Sequence, residues 1–313
     1  MKLTSARSLA FAAVLSVTLM LSFAYYWPIQ EAYHPLNSDW NGCSKVAYAT
    51  RNTTLLLSYR IPLPNQSSLL AIIGPSIVFT QEETAEIRNF LEAGGTVLLA
   101  DDFGTGNSLL KGLNVSAQFS GKPLADLYYY SKASSFPLIS KFSRSPITAN
   151  ITTIVLNHPS YIDITNSSLV TKLASSSPFS FIDLNGNGRP SPNETINSYP
   201  VMVGAEIGRG SLILVSDPSM FVNEMIDLYD NIQLFQNLLK MGGDSLIFDV
   251  VHLERAPLTD SRMMLKDNIN LLRDFLFFSK NSIYVQSIIV ALVLAMSFSL
   301  HLIRVAKARR TGK

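Results

Sequence analysis

"LLAIIGPSIVFTQEETAEIRNFLEAGGTVLLADDFGTGN" (residues 69–107) sets out one complete structural cycle. Leu69–Ile73 is an apolar run of strand length that stops at Gly74-Pro75. Thr80-x-x-Glu83 has the form of a capping box opening a helix, with Glu82, Glu83 and Glu86 near its positive end. Ile87, Phe90 and Leu91 give that helix an apolar stripe, and Gly94-Gly95 stops it. A second apolar run, Val97–Ala100, follows at once. The order predicts a β-α-β unit, and hence a parallel strand pair with a right-handed crossover.

A second unit stands near the end of the chain in "GSLILVSDPSMFVNEMIDLYDNIQLFQNLLKMGGDSLIFDVVH" (210–252). Ser211–Val215 reads as a strand and Ser216-Asp217-Pro218 as a loop. Asp230–Lys240 reads as a helix burying Ile232, Phe235, Leu238 and Leu239, ended by Gly242-Gly243. Leu246–Val251 reads as the last strand. Residues 120–205 are richer in Ser, Asn and Pro, with short runs such as Ile154–Leu156 and Pro200–Val203. Together these predict an α/β domain with a doubly wound, mostly parallel sheet and an irregular middle excursion.

The ends of the 313-residue chain predict its setting. Leu9–Trp27 and Ile283–Ile303 are each free of Asp, Glu, Lys and Arg, and each matches the roughly 20 residues that span a bilayer as a helix. Lys2 and Arg7 precede the first run, which ends in Tyr25, Tyr26 and Trp27 and has no Ala-x-Ala cleavage site after it. Arg304, Lys307, Arg309, Arg310 and Lys313 follow the second. By the positive-inside rule both termini are cytoplasmic and the main domain is extracytoplasmic, in a two-pass cell-membrane protein. The expected order is a signal-anchor helix within 1–27, the α/β domain over 28–258, a juxtamembrane helix over 259–282, a transmembrane helix over 283–303 and a basic tail over 304–313. Six sequons, at Asn52, Asn65, Asn114, Asn150, Asn166 and Asn193, fall inside the outer segment and mark candidate glycosylation sites. Without the seven basic residues at the termini, 18 basic residues face all 23 acidic ones, a net −5 that disfavours nucleic acid and phosphorylated ligands. Cys43 is alone, so there is no intrachain disulfide.

The blocks "IIGPSIVFTQEETAEIRNFLEAGGTVLLADDFGTGNSLL", "NHPS", "SFIDLNGNGRPSPNE" and "ILVSDPSMFVNEMIDLYDN", in this order, resemble an uncharacterised archaeal membrane-anchored family. The outer domain of that family, a domain of unknown function, is similar to the class I glutamine amidotransferase-like, flavodoxin-type fold. The resemblance spans residues 35–252 and implies a membrane module working beside an AAA+ ATPase and a von Willebrand-type protein. It implies no substrate.

The loop after the 97–100 strand is unsuited to nucleotide. Gly104-x-Gly106 lacks the third glycine, Leu109 standing in its place, and Asp101 and Asp102 would repel a pyrophosphate. Amidotransferase chemistry needs a cysteine on a strand-to-helix elbow, whereas Cys43 lies in "NSDWNGCSK". His252-x-Glu254 mimics the His-x-Glu pair of that class, although a residue at the end of a strand accounts for His252 equally. In open α/β sheets ligands bind beyond the carboxyl ends of the strands, which makes Asp101, Asp102, Asn107, Ser216, Asp217 and Asn223 crevice candidates. The same residues could instead satisfy their own loops.

"DLNGNGRPSPNE" (183–194) fits D-x-[DN]-x-[DN]-G-x5-E, with Asp183, Asn185, Asn187 and Glu194 as candidate calcium ligands and Gly188 at the turn. Pro190 and Pro192 and the lack of flanking amphipathic helices set it apart from an EF-hand. No catalytic residue, nucleotide or other cofactor is expected. The reading is a noncatalytic module binding a protein or a small polar ligand. The alternatives are a cell-envelope hydrolase using Asp101, Asp102, Asp217 or His252, or an accessory subunit of a membrane transport complex.

Overall fold

The computed structural model describes residues 29–59, 63 and 67–254, with seven positions (11, 15, 16, 18–20 and 22) of the N-terminal run. The chain divides into two compact units, Pro28–Ala256 and Met1–Trp27 together with Pro257–Lys313. Nearly all of the latter, with the expected 259–282 and 283–303 helices, lies outside the described residues. Among the described residues no helix is long and apolar enough to cross a membrane. The expected two-pass membrane topology, with both termini cytoplasmic and the main domain extracytoplasmic, is therefore not supported by the described residues.

In Pro28–Ala256 a short helix α1 (Ser44–Ala47) and strand β1 (Thr53–Leu56) precede β2 (Leu69–Ile73), α2 (Gln81–Glu92), β3 (Thr96–Ala100) and α3 (Asn107–Leu113). The excursion supplies β4 (Ala117–Phe119), β5 (Leu124–Asp126), β6 (Leu138–Ile139), β7 (Lys141–Phe142), β8 (Ile154–Val155), β9 (Ile162–Ile164), β10 (Thr171–Ser175) and β11 (Ser180–Ile182). The chain ends its described part with β12 (Pro200–Ile207), β13 (Gly210–Val215), α4 (Asn231–Met241) and β14 (Leu246–Asp249).

The capping box of α2 is complete: the Glu83 amide donates to Thr80 Oγ1 (3.2 Å) and the Thr80 amide to Glu83 Oε2 (2.8 Å). The helix buries Thr84, Ile87, Phe90 and Leu91. At Gly95 a Cβ would lie 2.3 Å from the Phe90 ring, so the glycine lets the chain return to β3 beneath that ring. Every residue of β2 and β3 is buried, and the two strands are parallel, Leu69 opposite Thr96.

The main sheet runs β1-β14-β2-β3-β13-β12-β10-β7. It is parallel from β1 to β13 and antiparallel from β13 to β7. Three two-stranded antiparallel ladders, β4-β9, β5-β11 and β6-β8, complete the described strands. Antiparallel ladders thus outnumber parallel ones, which corrects the expectation of a doubly wound, mostly parallel sheet between two transmembrane helices. It also removes the amidotransferase-like, flavodoxin-type fold. The cause is the excursion, which adds strands to the main sheet instead of decorating it. A two-residue turn at Gly208-Arg209, with Gly208 at φ +61, folds β12 back on β13.

One face of the sheet packs Leu70, Ile72, Val97, Leu99, Val203 and Leu214 against Ile87, Phe90 and Leu91 of α2 and Leu109, Leu110 and Leu113 of α3. Helix α4 lies against β2 and β3, and its buried Leu234, Phe235 and Leu238 stand outside that cluster. It therefore covers the alternate side chains, Leu69, Ala71, Ile73 and Leu98, as the period-2 pleat requires.

Candidate functional site

The loop after β3 closes on itself. Asp101 accepts the amide N–H groups of Phe103 (3.0 Å), Gly104 (3.1 Å) and Gly106 (2.7 Å). Burial pushes its carboxyl pKa up, and those donors hold it back. Asp102 is pushed up to about 7, chiefly by burial and then by the Asp101 charge, and its Oδ1 is buried without a hydrogen-bond partner. At the end of β13, Asp217 is fully buried and accepts the amides of Asn157 (2.6 Å) and Ser219 (2.8 Å). Burial raises its pKa well above the carboxylate range; the amides oppose the rise, and Asp102 adds to it. Ser216 is buried with an unpartnered Oγ. Since Ala100 is paired with Val215, Asp101, Asp102, Ser216 and Asp217 stand at adjoining strand ends.

The other two crevice candidates are elsewhere. Asn107 is clamped to β4, its amide donating to the Phe119 carbonyl (2.9 Å) and its carbonyl accepting the Phe119 amide (2.8 Å). Asn223 holds the 37–45 segment, donating to the carbonyls of Asn37 and Asp39 and accepting from the Lys45 amide and the Ser44 hydroxyl. The chain just before that segment contributes Tyr33, at φ +60, a residue that the sequence did not single out. Its hydroxyl is 3.0 Å from Ser219 Oγ, and a Cβ at Gly74 would meet its ring at 2.4 Å. Tyr33 thus lies across the ends of β2 and β13. Cys43 is completely buried, and burial raises its thiol pKa far above the ordinary value, the opposite of an activated nucleophile.

A second polar cluster sits at the end of β14. His252 Nδ1 is 2.6 Å from Asp249 Oδ2 and its Nε2 is 3.4 Å from Glu83 Oε2. The Tyr59 hydroxyl donates to Asp249 Oδ2 (3.0 Å), and Phe79 stacks on the imidazole at 3.7 Å between centroids. Burial alone would lower the His252 pKa, but the two carboxylates outweigh it and raise the value. Both ring nitrogens facing carboxylates fit an imidazolium, a buried cation bracketed by anions. Glu254, the partner suggested by His-x-Glu spacing, is exposed; Asp249 and Glu83 take its place.

In the 183–194 loop, Asp183 accepts the amides of Asn187 and Gly188, and Asn187 Oδ1 accepts that of Arg189. Asn185 Oδ1 accepts the Asn187 amide. Glu194 directs Oε1 to the Leu184 and Asn185 amides and Oε2 to that of Ser191. A bidentate ligand would turn both of those oxygens to the ion, so this geometry offers calcium no ready cage. Among the described residues no group of three His, Cys, Asp or Glu side chains could hold a metal. Asn52, Asn114, Asn150, Asn166 and Asn193 are exposed, and Asn65 lies outside the described residues.

The excursion builds a feature that the sequence reading passed over, although three consecutive tyrosines signal it. Buried Asp126 accepts the amides of Tyr128 (2.9 Å) and Tyr129 (2.8 Å) through Oδ1 and the hydroxyls of Ser177 and Ser180 through Oδ2. It ties the 126–130 turn to the 177–180 turn. There Tyr128 meets Phe179 edge-on at 5.2 Å, and Tyr129 stacks beside it at 6.2 Å. Tyr128 remains 70% exposed, Tyr129 50% and Phe179 42%.

Fold and site describe a mixed-sheet α/β domain with amide-capped strand-end carboxylates, a buried histidine clamp and an aromatic outer face. The chain belongs to the family described as "Domain of unknown function (DUF4350)", whose model matches residues 35–239. No curated protein matches it. Among solved structures it is similar to "mmIFT52 N-terminal domain" (TM-score 0.44, 16% identity, 56% of this chain and 77% of that one). It is also similar to a polyextremophilic β-galactosidase from the Antarctic haloarchaeon Halorubrum lacusprofundi (0.35, 12%, 59% and 23%). A third is a β-galactosidase from Bacillus circulans sp. alkalophilus (0.35, 11%, 56% and 23%). The chain spans under a quarter of either galactosidase, and likenesses at these scores carry no argument about function.

Proposed function

We propose that the domain is a noncatalytic module that binds a protein through the Tyr128–Tyr129–Phe179 face. The observation that carries this reading is the fully buried Asp126, whose four hydrogen bonds hold two loops so that three aromatic rings face outward. Tyrosine offers large contact area at little rotamer entropy, and a preordered turn lowers the cost of ordering at an interface. The hydrolase alternative has less support: Asp101 and Asp217 already accept backbone amides, and both ring nitrogens of His252 already face carboxylates.

The family resemblance suggests an AAA+ ATPase and a von Willebrand-type protein as partner classes. Full-length chain carrying a photo-crosslinker at position 179 should couple to a discrete partner. Tyr128→Ser with Tyr129→Ser should abolish the coupling while leaving the unfolding midpoint unchanged. Coupling that survives the double substitution would sink the reading. A loss of cellular function in Asp102→Asn with folding intact would favour the hydrolase.

A further inference from the structure

Beyond β13 the sheet turns antiparallel, and Met241, the last residue of α4, borders that half. A cavity of about 650 Å3 opens there, floored by Leu173, Gly204 and Ile213 and walled by Ile147 and Met241. That volume falls inside the roughly 300–1,000 Å3 typical of small-molecule sites. Gly204 helps to keep the floor open, because a Cβ there would already stand 3.3 Å from Leu173 Cδ1 and 3.5 Å from Ile213 Cδ1.

The rim carries two charges that do not pair with each other. Glu206 accepts the Ser211 hydroxyl on both oxygens (3.1 and 3.0 Å). Arg144, in the loop after β7, has no ion pair or side-chain hydrogen bond among the described residues. It lines both this cavity and the neighbouring depression over residues 142–150, and it is exposed.

We propose that this cavity binds a small apolar monocarboxylate, its head on the Arg144 guanidinium and its hydrocarbon body over Leu173, Gly204 and Ile213. Arginine matches a carboxylate with two parallel N–H donors, and the apolar floor rewards burial of the chain. Glu206, at the same rim, discriminates against a second negative charge. The site is separate from the aromatic face, and neither requires the other.

The test is equilibrium dialysis of full-length chain with decanoate, decanol and decanedioate. Decanoate should bind saturably, with decanol and decanedioate each at least tenfold weaker. Arg144→Gln should weaken decanoate at least tenfold and leave decanol unchanged. Uptake by the apolar runs 9–27 and 283–303 is common to both proteins and cancels in that comparison. Arg144 is exposed on a loop, so the fold does not hinge on it; Gly204→Val, which fills the floor, should weaken decanoate and decanol alike. Equal binding of decanoate and decanol by the wild type, unchanged decanoate binding in Arg144→Gln, or no saturable binding into the millimolar range would overturn the proposal.

Discussion

The carboxylates at the ends of β3 and β13 and those around His252 stand on the same edge of one sheet, yet their charge is handled in opposite ways. Asp101 and Asp217 meet backbone amides, and Asp102 Oδ1 meets nothing. Asp249 and Glu83 bracket an imidazole. In the first solution, burial without a counter-ion raises the pKa of all three acids, and like charge adds to it at Asp102 and Asp217, so these acids hold their protons to higher pH. The second places a counter-charge between the acids, so the histidine holds its proton instead. Position beyond a strand therefore does not define the chemistry of a carboxylate; its nearest donor does.

The largest expected effect breaks the second cluster. His252→Ala leaves Asp249 and Glu83 without their shared cation, at a cost of roughly 3–5 kcal/mol, the range for breaking a buried pair. Urea unfolding at pH 6 measures it, and a loss below about 1 kcal/mol would erase the contrast between the clusters. The pH dependence has a definite sign. With its pKa raised from 6.5, His252 contributes fully below about that pH, and the contribution fades as pH rises through the folded value. Wild type should thus lose more stability from pH 6 to 9 than His252→Gln.

The next effect runs the other way. Asp102, raised from 3.8 to about 7, supports the fold fully below 3.8 and loses that contribution as pH rises through 7. Asp102→Asn should therefore stabilise the protein at pH 8 by about 1–3 kcal/mol and make little difference at pH 4. A destabilised Asp102→Asn at pH 8 would mean that the charge is satisfied. The smallest effect concerns Asp183 and Glu194, which adopt the amide solution of the first cluster. Millimolar calcium should shift the unfolding free energy by less than about 0.5 kcal/mol. A larger rise, absent in Asp183→Ala, would show that the loop reopens around the ion.

The β2-α2-β3 unit was legible because its signals are local: the Thr80/Glu83 box, the Ile87-Phe90-Leu91 stripe and the Gly94-Gly95 stop all lie within one short window. The end of β13 was legible for the same reason. The antiparallel half was not, because β6, β7 and β8 have two residues each and show no period, and β10 pairs with β12 across register shifts. Only four of the eight residues of β12 stood out, Pro200–Val203, since Gly204 and Glu206 interrupt the apolar run. Site partners failed wherever they were distant. Asp126 finds Ser177 and Ser180 more than 50 positions away, and His252 finds Glu83 at 169. The two-residue spacing to Glu254 was a local signal with no counterpart in space, because the chain bends after Asp249.

The place of β14 in the sheet bears on how the protein is made. It inserts between β1 and β2, and its pairing with β1 joins Thr53 to Leu246, 193 positions apart. During synthesis β2 and β3 can pair as soon as residue 100 is free, and β12 and β13 can close through their short turn. β1 must wait for almost the whole domain to leave the ribosome, and such distant pairing is slow. Until then the Leu69–Ile73 strand is an open edge made only of apolar residues, a template for pairing with another nascent chain.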